Sequence, residues 1–299
     1  MKAQLWVGRK LSLSIIVSLV FIVATFQCVE AYELTWTGCG ITKGAFMNEI
    51  ANAYRKKTGN TIKISGGGAT KGLRAVAANT SDLGGTCRDW LGGVADKDPR
   101  EADAQLIQVA WDALVVIVHP KNPVNDITVE QLKDVYDGKL TSWNNLGGAD
   151  KKIALVTRDG KHSGVGHMFR LLVFKNQQHD FMARSYIVKS TGPLEKKIAR
   201  TPISMGIDGI SSARKIKVKI LSLNGISPTK VNIASGRYPL FRPLYVVVNK
   251  NANQKAKEVV DFILSSEGQA IISQQGTVNL GEGRALEPLW LEKAKHFNK

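Results

Sequence analysis

Along the chain, short runs with a two-residue hydrophobic repeat give way to longer runs whose apolar positions recur every three or four residues. Tyr32 to Trp36 reads as a short strand, broken by Gly38-Cys39-Gly40. From Thr42 to Lys57, the residues Phe46, Met47, Ile50, Ala51 and Tyr54 recur at helical spacing, and Gly59 stops that helix. Thr61 to Ser65 alternates as a strand, Gly66-Gly67-Gly68 follows, and a helix is predicted from Thr70 to Asn79. Ser81 to Gly84 is another short strand, ending at Thr86-Cys87-Arg88. Ala113 to Val118 and Leu244 to Val248 are continuous apolar strands. Thr128 opens a helix through Tyr136, with Gln131 completing a capping-box pattern. Ile153 to Thr157 predicts a strand, Arg158 to Gly166 a polar loop, and the next residues a helix through Phe174; Lys257 to Ser265 is a late helix. This strand–loop–helix rhythm predicts an α/β protein with a largely parallel sheet. There is no internal repeat, low-complexity tract or Pro/Ser linker, and no composition shift marks a boundary. Two lobes would therefore require the chain to cross between them more than once.

The first residues carry a different pattern. Lys2, Arg9 and Lys10 precede a nearly apolar run from Leu11 to Phe26, and Val29-Glu30-Ala31 fits small-x-small cleavage. This predicts a secretory signal over residues 1–31, removed after Ala31, because the apolar run is short for a spanning helix, which needs roughly 20 residues. Gln27 before Cys28 is a poor match to a lipoprotein signal. The expected product is exported and periplasmic. Cleavage removes three basic and one acidic side chain, leaving +14 of the formal +16.

A 43% hydrophobic and 22% charged composition supports a sizeable core and excludes global disorder. The cationic excess attracts anions. Nucleic acid is not expected as a partner, since basic and aromatic residues are not interleaved and no binding motif occurs. Trp36, Trp90, Trp111, Trp143 and Trp290 read as packing residues rather than stacking platforms. No HExxH, GxSxG or paired-carboxylate pattern stands out, so an enzyme is not expected; neither is a cofactor or a bound metal.

One local device recurs at Gly38–Lys43, Gly66–Lys71 and Arg158–Gly166: a strand ends, a Gly-containing turn follows, and a helix starts with hydroxyl residues. A helix start leaves backbone N–H groups unpaired and carries partial positive charge, and glycine lets a ligand approach the backbone. Several such ends converging on one cleft make an oxyanion site. One such loop alone is also ordinary helix capping.

At these loops the chain resembles the substrate-binding proteins of ABC-type phosphate transporters, from about Thr35 to Leu280. The matching pieces are Thr37-Gly38-Cys39-Gly40-Ile41-Thr42, the Gly66–Gly72 loop, Asp82-Leu83-Gly84 leading to Cys87-Arg88, and Ile127 to Trp143. Arg158-Asp159 with Ser163-Gly164 is similar to the family's Arg-Asp-x-x-Ser-Gly-Thr loop, and Ser235–Leu240 with Arg242–Tyr245 to its last hinge strand. The resemblance implies a two-lobed Venus-flytrap fold with two crossover strands. Lobe one would be 32–113 plus 242–299, and lobe two 114–241. It implies a monomer that captures inorganic phosphate or a related oxyanion and docks on an ABC permease in the inner membrane. By motif position, Thr42, Thr70, Arg158, Ser163 and Gly164 would bind the anion. Lys43 and Arg88 are further candidates, and Asp159 would orient Arg158 or, as the alternative, accept a proton from a protonated oxyanion.

The chain departs from the family at several of these positions. Ala69 replaces a usual Ser, Val165 a usual Thr, and Cys87 stands near a usual Ser or Asp. Lys43 adds a cation, and the Arg158–Ser163 spacing is longer by one residue, His162. Each lost hydrogen bond to a charged ligand weakens binding by roughly 1.5–3 kcal/mol. Phosphate remains the leading ligand, with arsenate, sulfate, molybdate or a phosphorylated organic compound as alternatives. Cys39 and Cys87 both fall in ligand loops; they are expected to form a disulfide, with free thiols or a thiolate pair for a soft metal or metalloid as the other readings. The last of these would make the protein a periplasmic sensor of the same fold. His162 and His167 are expected in exposed polar roles.

Overall fold

A computed structural model describes residues 31–91 and 98–297. The signal segment read over residues 1–31 lies outside these, except for its last residue.

The strands, in chain order, are β1 (Glu33–Gly38), β2 (Thr61–Gly66), β3 (Leu83–Thr86), β4 (Ala104–Val118), β5 (Asp126–Ile127), β6 (Ala154–Arg158), β7 (Tyr186–Val188), β8 (Ser204–Gly209), β9 (Lys219–Ile220), β10 (Ser222–Leu223), β11 (Phe241–Asn249) and β12 (Val278–Asn279). The main sheet runs β2-β1-β3-β11-β4-β8-β6-β7, with β9 and β12 also on β4. On one flank β1 lies parallel to β2 and β3. On the other, β6 lies parallel to β7 and β8. The centre differs from the expected parallel sheet: β11 and β4 are antiparallel to each other and to the strand beyond each.

The two flanks join through β4. Its residues Ala104–Ala113 pair with β11, and Leu114–Val118 pair with β8. The partner changes between Ala113 and Leu114. The return passage of the chain is tied to the same point, because Leu114 N–H donates to the Leu240 carbonyl at 2.9 Å. Tyr238 Oη also donates to the Leu114 carbonyl at 3.0 Å. The hydrophobic pattern finds only the second part of β4, since Gln105, Gln108 and Asp112 interrupt its first part. Asp112 is buried there for a reason. It accepts from Ser211 N–H at 3.0 Å, Ser211 Oγ at 2.7 Å and Arg242 Nη2 at 3.0 Å, which satisfies a carboxylate with no water contact.

The helices follow their local signals. The first begins before Thr42, at Gly40–Thr42, winds through a wider π-helical turn at Lys43–Met47 and continues as Asn48–Thr58. It closes at Gly59, whose left-handed φ of 78° is the usual helix stop. Thr128 and Gln131 form the expected reciprocal capping box. The helices Thr191–Arg200, Ser266–Gln274 and Leu286–Ala294, with β7 and β8, are additional to the sequence reading. Trp36, Trp111, Trp143 and Trp290 are buried in the core. Among the described residues, no helix is long and apolar enough to cross a membrane.

Candidate functional site

Loops leaving the carboxyl ends of β1, β2 and β3 face loops leaving β6 and β7 across a cleft of about 320 Å³. Open α/β sheets place their ligand crevice at this end of the strands. The first flank contributes Cys39–Ile41, Gly67–Thr70 and Cys87, and the second Arg158, Asp159, His162–Val165 and Lys189–Thr191. Gly67 and Gly68 hold φ of 147° and 97°, which side-chain-bearing residues rarely adopt, so this loop needs glycine to turn into the helix Ala69–Ala77. Neither that helix nor Thr191–Arg200 has a side-chain cap. Their first-turn N–H groups are therefore left for a ligand. At the other two helix starts, Ser163 Oγ accepts from Gly166 N–H at 3.1 Å and Cys39 Sγ accepts from Thr42 N–H at 3.4 Å.

Arg158, at the end of β6, is the buried cation of the cleft. Its Nη2 donates to Asp208 Oδ1 at 2.9 Å and to Thr191 Oγ1 at 3.0 Å, while its Nε has no hydrogen-bond partner. Asp208 is fully buried on β8. Burial first, and then the neighbouring Glu195 charge, push its carboxyl well above the usual range, although Arg158 pulls the other way. Asp208 Oδ2 finds no donor. Asp208 Oδ1 thus orients Arg158 from behind the cleft.

The two flanks touch across the cleft. Thr70 Oγ1 donates to the His162 carbonyl at 2.6 Å. Gly164 abuts the other side so closely that a Cβ there would lie 2.6 Å from Cys87 Sγ and 2.9 Å from Ala69 Cβ. Ala69 and Val165 are both buried in the cleft lining.

Of the expected anion ligands, Thr70, Arg158, Ser163 and Gly164 line the cleft. Thr42 does not. It is fully buried, and its hydroxyl donates to the Cys39 carbonyl at 3.1 Å, because the helix starts at Gly40 and turns Thr42 inward. Lys43 begins the π-helical turn, half-buried and outside the lining. Arg88 is also outside it. Arg88 is buried against Glu101, with Nη2 to Oε1 at 2.6 Å and Nη1 to Oε2 at 3.2 Å. It reaches the site only through Thr70, donating from Nη2 to Oγ1 at 3.0 Å. Asp159 lines the cleft but does not orient Arg158; Asp208 does. His162 is exposed as expected, whereas His167 is buried.

Cys39 and Cys87 are free thiols rather than a disulfide, both buried at the cleft. They share a hydrogen bond. Burial raises the Cys39 thiol, but hydrogen bonds from Cys87 and Thr42 and the nearby Arg242 charge outweigh it and bring it down to about 6. Cys87 is correspondingly pushed well up by its bond to Cys39 and by burial. The sequence reading missed Thr191, Ser190 and Asp208. Ser190-Thr191-Gly192, ahead of Leu194 and Ile198, shows the same hydroxyl–glycine helix start as the other loops. Asp208 has no local signal.

The PBP superfamily domain matches residues 42–267 of this chain. The "Phosphate-binding protein PstS" of Borreliella burgdorferi is 28% identical over 279 residues, covering 89% of this chain and 98% of that one. A protein of the same name from Bacillus subtilis is 29% identical, covering 73% of this chain and 70% of that one. Among solved structures, a putative phosphate ABC transporter substrate-binding protein with bound phosphate from Clostridium perfringens aligns with a TM-score of 0.73 at 26% identity. That alignment covers 83% of this chain and 99% of that one. An ABC-type phosphate transport receptor from Vibrio cholerae aligns with a TM-score of 0.63 at 26% identity, again over 83% of this chain and 99% of that one.

Proposed function

The chain belongs to the PBP superfamily and to its phosphate-binding family, and we propose that it captures inorganic phosphate between two lobes for delivery to an ABC importer. The carrying observation is the cleft itself, where uncapped helix starts from both flanks converge with Arg158. That set offers backbone N–H groups, hydroxyls and a guanidinium, which suits a tetrahedral oxyanion. The protein is a substrate-binding transport protein, not a catalyst.

In this reading the lobes are residues 32–113 with 242–299, and residues 114–241. The change of partner along β4 between Ala113 and Leu114, tied to Leu240, supports that division. Closure about these two crossovers brings Thr70 and Arg158 to the same anion. The Thr70 backbone N–H, Arg158, Ser163 and the Gly164 backbone hold it, with Thr191 beside it. Thr42, Lys43 and Arg88 act at one remove or not at all. The protein works as a monomer in the periplasm after cleavage following Ala31, and its closed form docks on the permease.

Equilibrium dialysis with radiolabelled phosphate, competed with unlabelled arsenate, sulfate and molybdate, tests the ligand. Displacement by phosphate and arsenate but not by equimolar sulfate is the expected result. Preferential displacement by sulfate or molybdate would overturn the phosphate reading.

A further inference from the structure

The loops after β1 and β3 end in Cys39 and Cys87, and because those strands are paired neighbours the two sulfurs meet at the floor of the cleft. Each is nearly inaccessible, at 5% and 1% exposure, and each bonds to the other. Thr42 places its hydroxyl 3.3 Å and its N–H 3.4 Å from Cys39 Sγ. Arg242 donates to the Cys87 carbonyl at 3.0 Å and adds positive charge behind the pair. These contacts favour an ionised sulfur at Cys39, the nucleophilic form of cysteine. Anion binding by helix starts and a guanidinium does not call for a nucleophilic sulfur at this position.

The surroundings narrow what such a pair can take. Among the described residues there is no group of three His, Cys, Asp or Glu able to hold a metal ion. Arg158 and Arg242 flank the sulfurs and oppose a cation. A neutral electrophile meets neither obstacle. One with two exchangeable ligands would bond both sulfurs, and a remaining hydroxyl would face the same N–H, hydroxyl and guanidinium donors that line the cleft.

We propose that Cys39 and Cys87 form a dithiol site for a neutral trivalent metalloid hydroxide, arsenous acid being the probe. The Cys39 thiolate attacks arsenic and expels hydroxide, which takes the Cys87 proton and leaves as water. The Cys87 sulfur then displaces a second hydroxide, which takes a proton from solvent and leaves as a second water. Two As–S bonds replace two As–O bonds, one As–OH remains, and no oxidant or reductant is needed. The site does not depend on the phosphate reading, though a bound arsenic fills the same cleft.

The test uses the reduced mature protein and arsenous acid, with bound arsenic measured after dialysis and free thiols counted after rapid denaturation. One arsenic per chain with both thiols protected is expected. Cys39→Ser and Cys87→Ser should each weaken retention at least about a hundredfold, the loss expected when a two-point attachment becomes one-point. X-ray absorption at the arsenic edge keeps the test independent of whether those variants fold; it should show two sulfur neighbours and one oxygen. No arsenic on the folded reduced protein, an oxygen-only shell, or retention unaffected in the folded serine variants would overturn the proposal.

Discussion

Thr70 Oγ1 donates to the backbone carbonyl of His162 at 2.6 Å, joining the loop after β2 to the loop after β6 across the cleft. The same oxygen accepts from Arg88 at 3.0 Å, so the hydroxyl is oriented from behind before it reaches across. Thr70→Val keeps the shape and removes the bond. One hydrogen bond contributes about 0.5–1.5 kcal/mol, so phosphate affinity should fall roughly 2- to 12-fold with little change in melting temperature. Calorimetric titration of the variant checks this; unchanged affinity would remove the bridge from the account.

Glu101 exists to neutralise Arg88. Both side chains are fully buried, and removing one partner leaves an uncompensated charge. Glu101→Ala should destabilise the protein by about 3–5 kcal/mol in denaturant unfolding. Double replacement of Arg88 and Glu101 by apolar residues should recover most of that loss. A loss under about 1 kcal/mol for the single variant would mean that the pair is far better solvated than the structure has it.

Gly164 is required by close approach rather than by backbone angle. A methyl group there meets Cys87 Sγ and Ala69 Cβ on the opposite flank. Gly164→Ala should therefore act on closure, at the roughly 1–3 kcal/mol typical of overpacking, and weaken phosphate binding by about 5- to 150-fold. The ligand-free melting temperature should hardly move. Affinity equal to wild type would show that the flanks need not approach this closely.

His167 gives the fold an acid-sensitive element. Burial first, then the Arg88, His162 and Arg170 charges, hold it down to about 3, and its Nε2 has no hydrogen-bond partner. The unfolded chain binds this proton as pH falls through about 6.5, and the folded chain does not until about 3. The associated stability is fully present above the unfolded value and is lost as pH falls between the two, by at most about 5 kcal/mol at ~1.4 kcal/mol per unit. Melting temperature should drop across this window, and His167→Gln should flatten the drop. Parallel curves for the two proteins would exclude His167 as its source.

Four of the cleft-lining positions, Thr70, Arg158, Ser163 and Gly164, are legible because a glycine turn and a hydroxyl at a helix start are local signals. Thr42 carries the same signal and still faces inward. The Cys39 sulfur takes the capping position, and the helix begins two residues before Thr42. Arg88 looked like a ligand because its counter-ion, Glu101, lies thirteen residues away in the sequence. The partner that orients Arg158 is Asp208, fifty residues on, where the adjacent Asp159 had been the expected one. The early part of β4 was hidden by polar residues that serve the crossover, Asp112 above all. Local chemistry was readable along the chain; pairings made only by folding were not.

Calorimetric titration of the reduced mature protein measures phosphate binding in this cleft without an intermediary. The protein is first stripped of ligand by unfolding and refolding. Saturable one-to-one binding at micromolar affinity or tighter is expected, abolished in Arg158→Ala, whose folding is checked by circular dichroism because Asp208 loses its buried ion-pair partner. No saturable phosphate binding by the folded wild-type protein would contradict the phosphate reading.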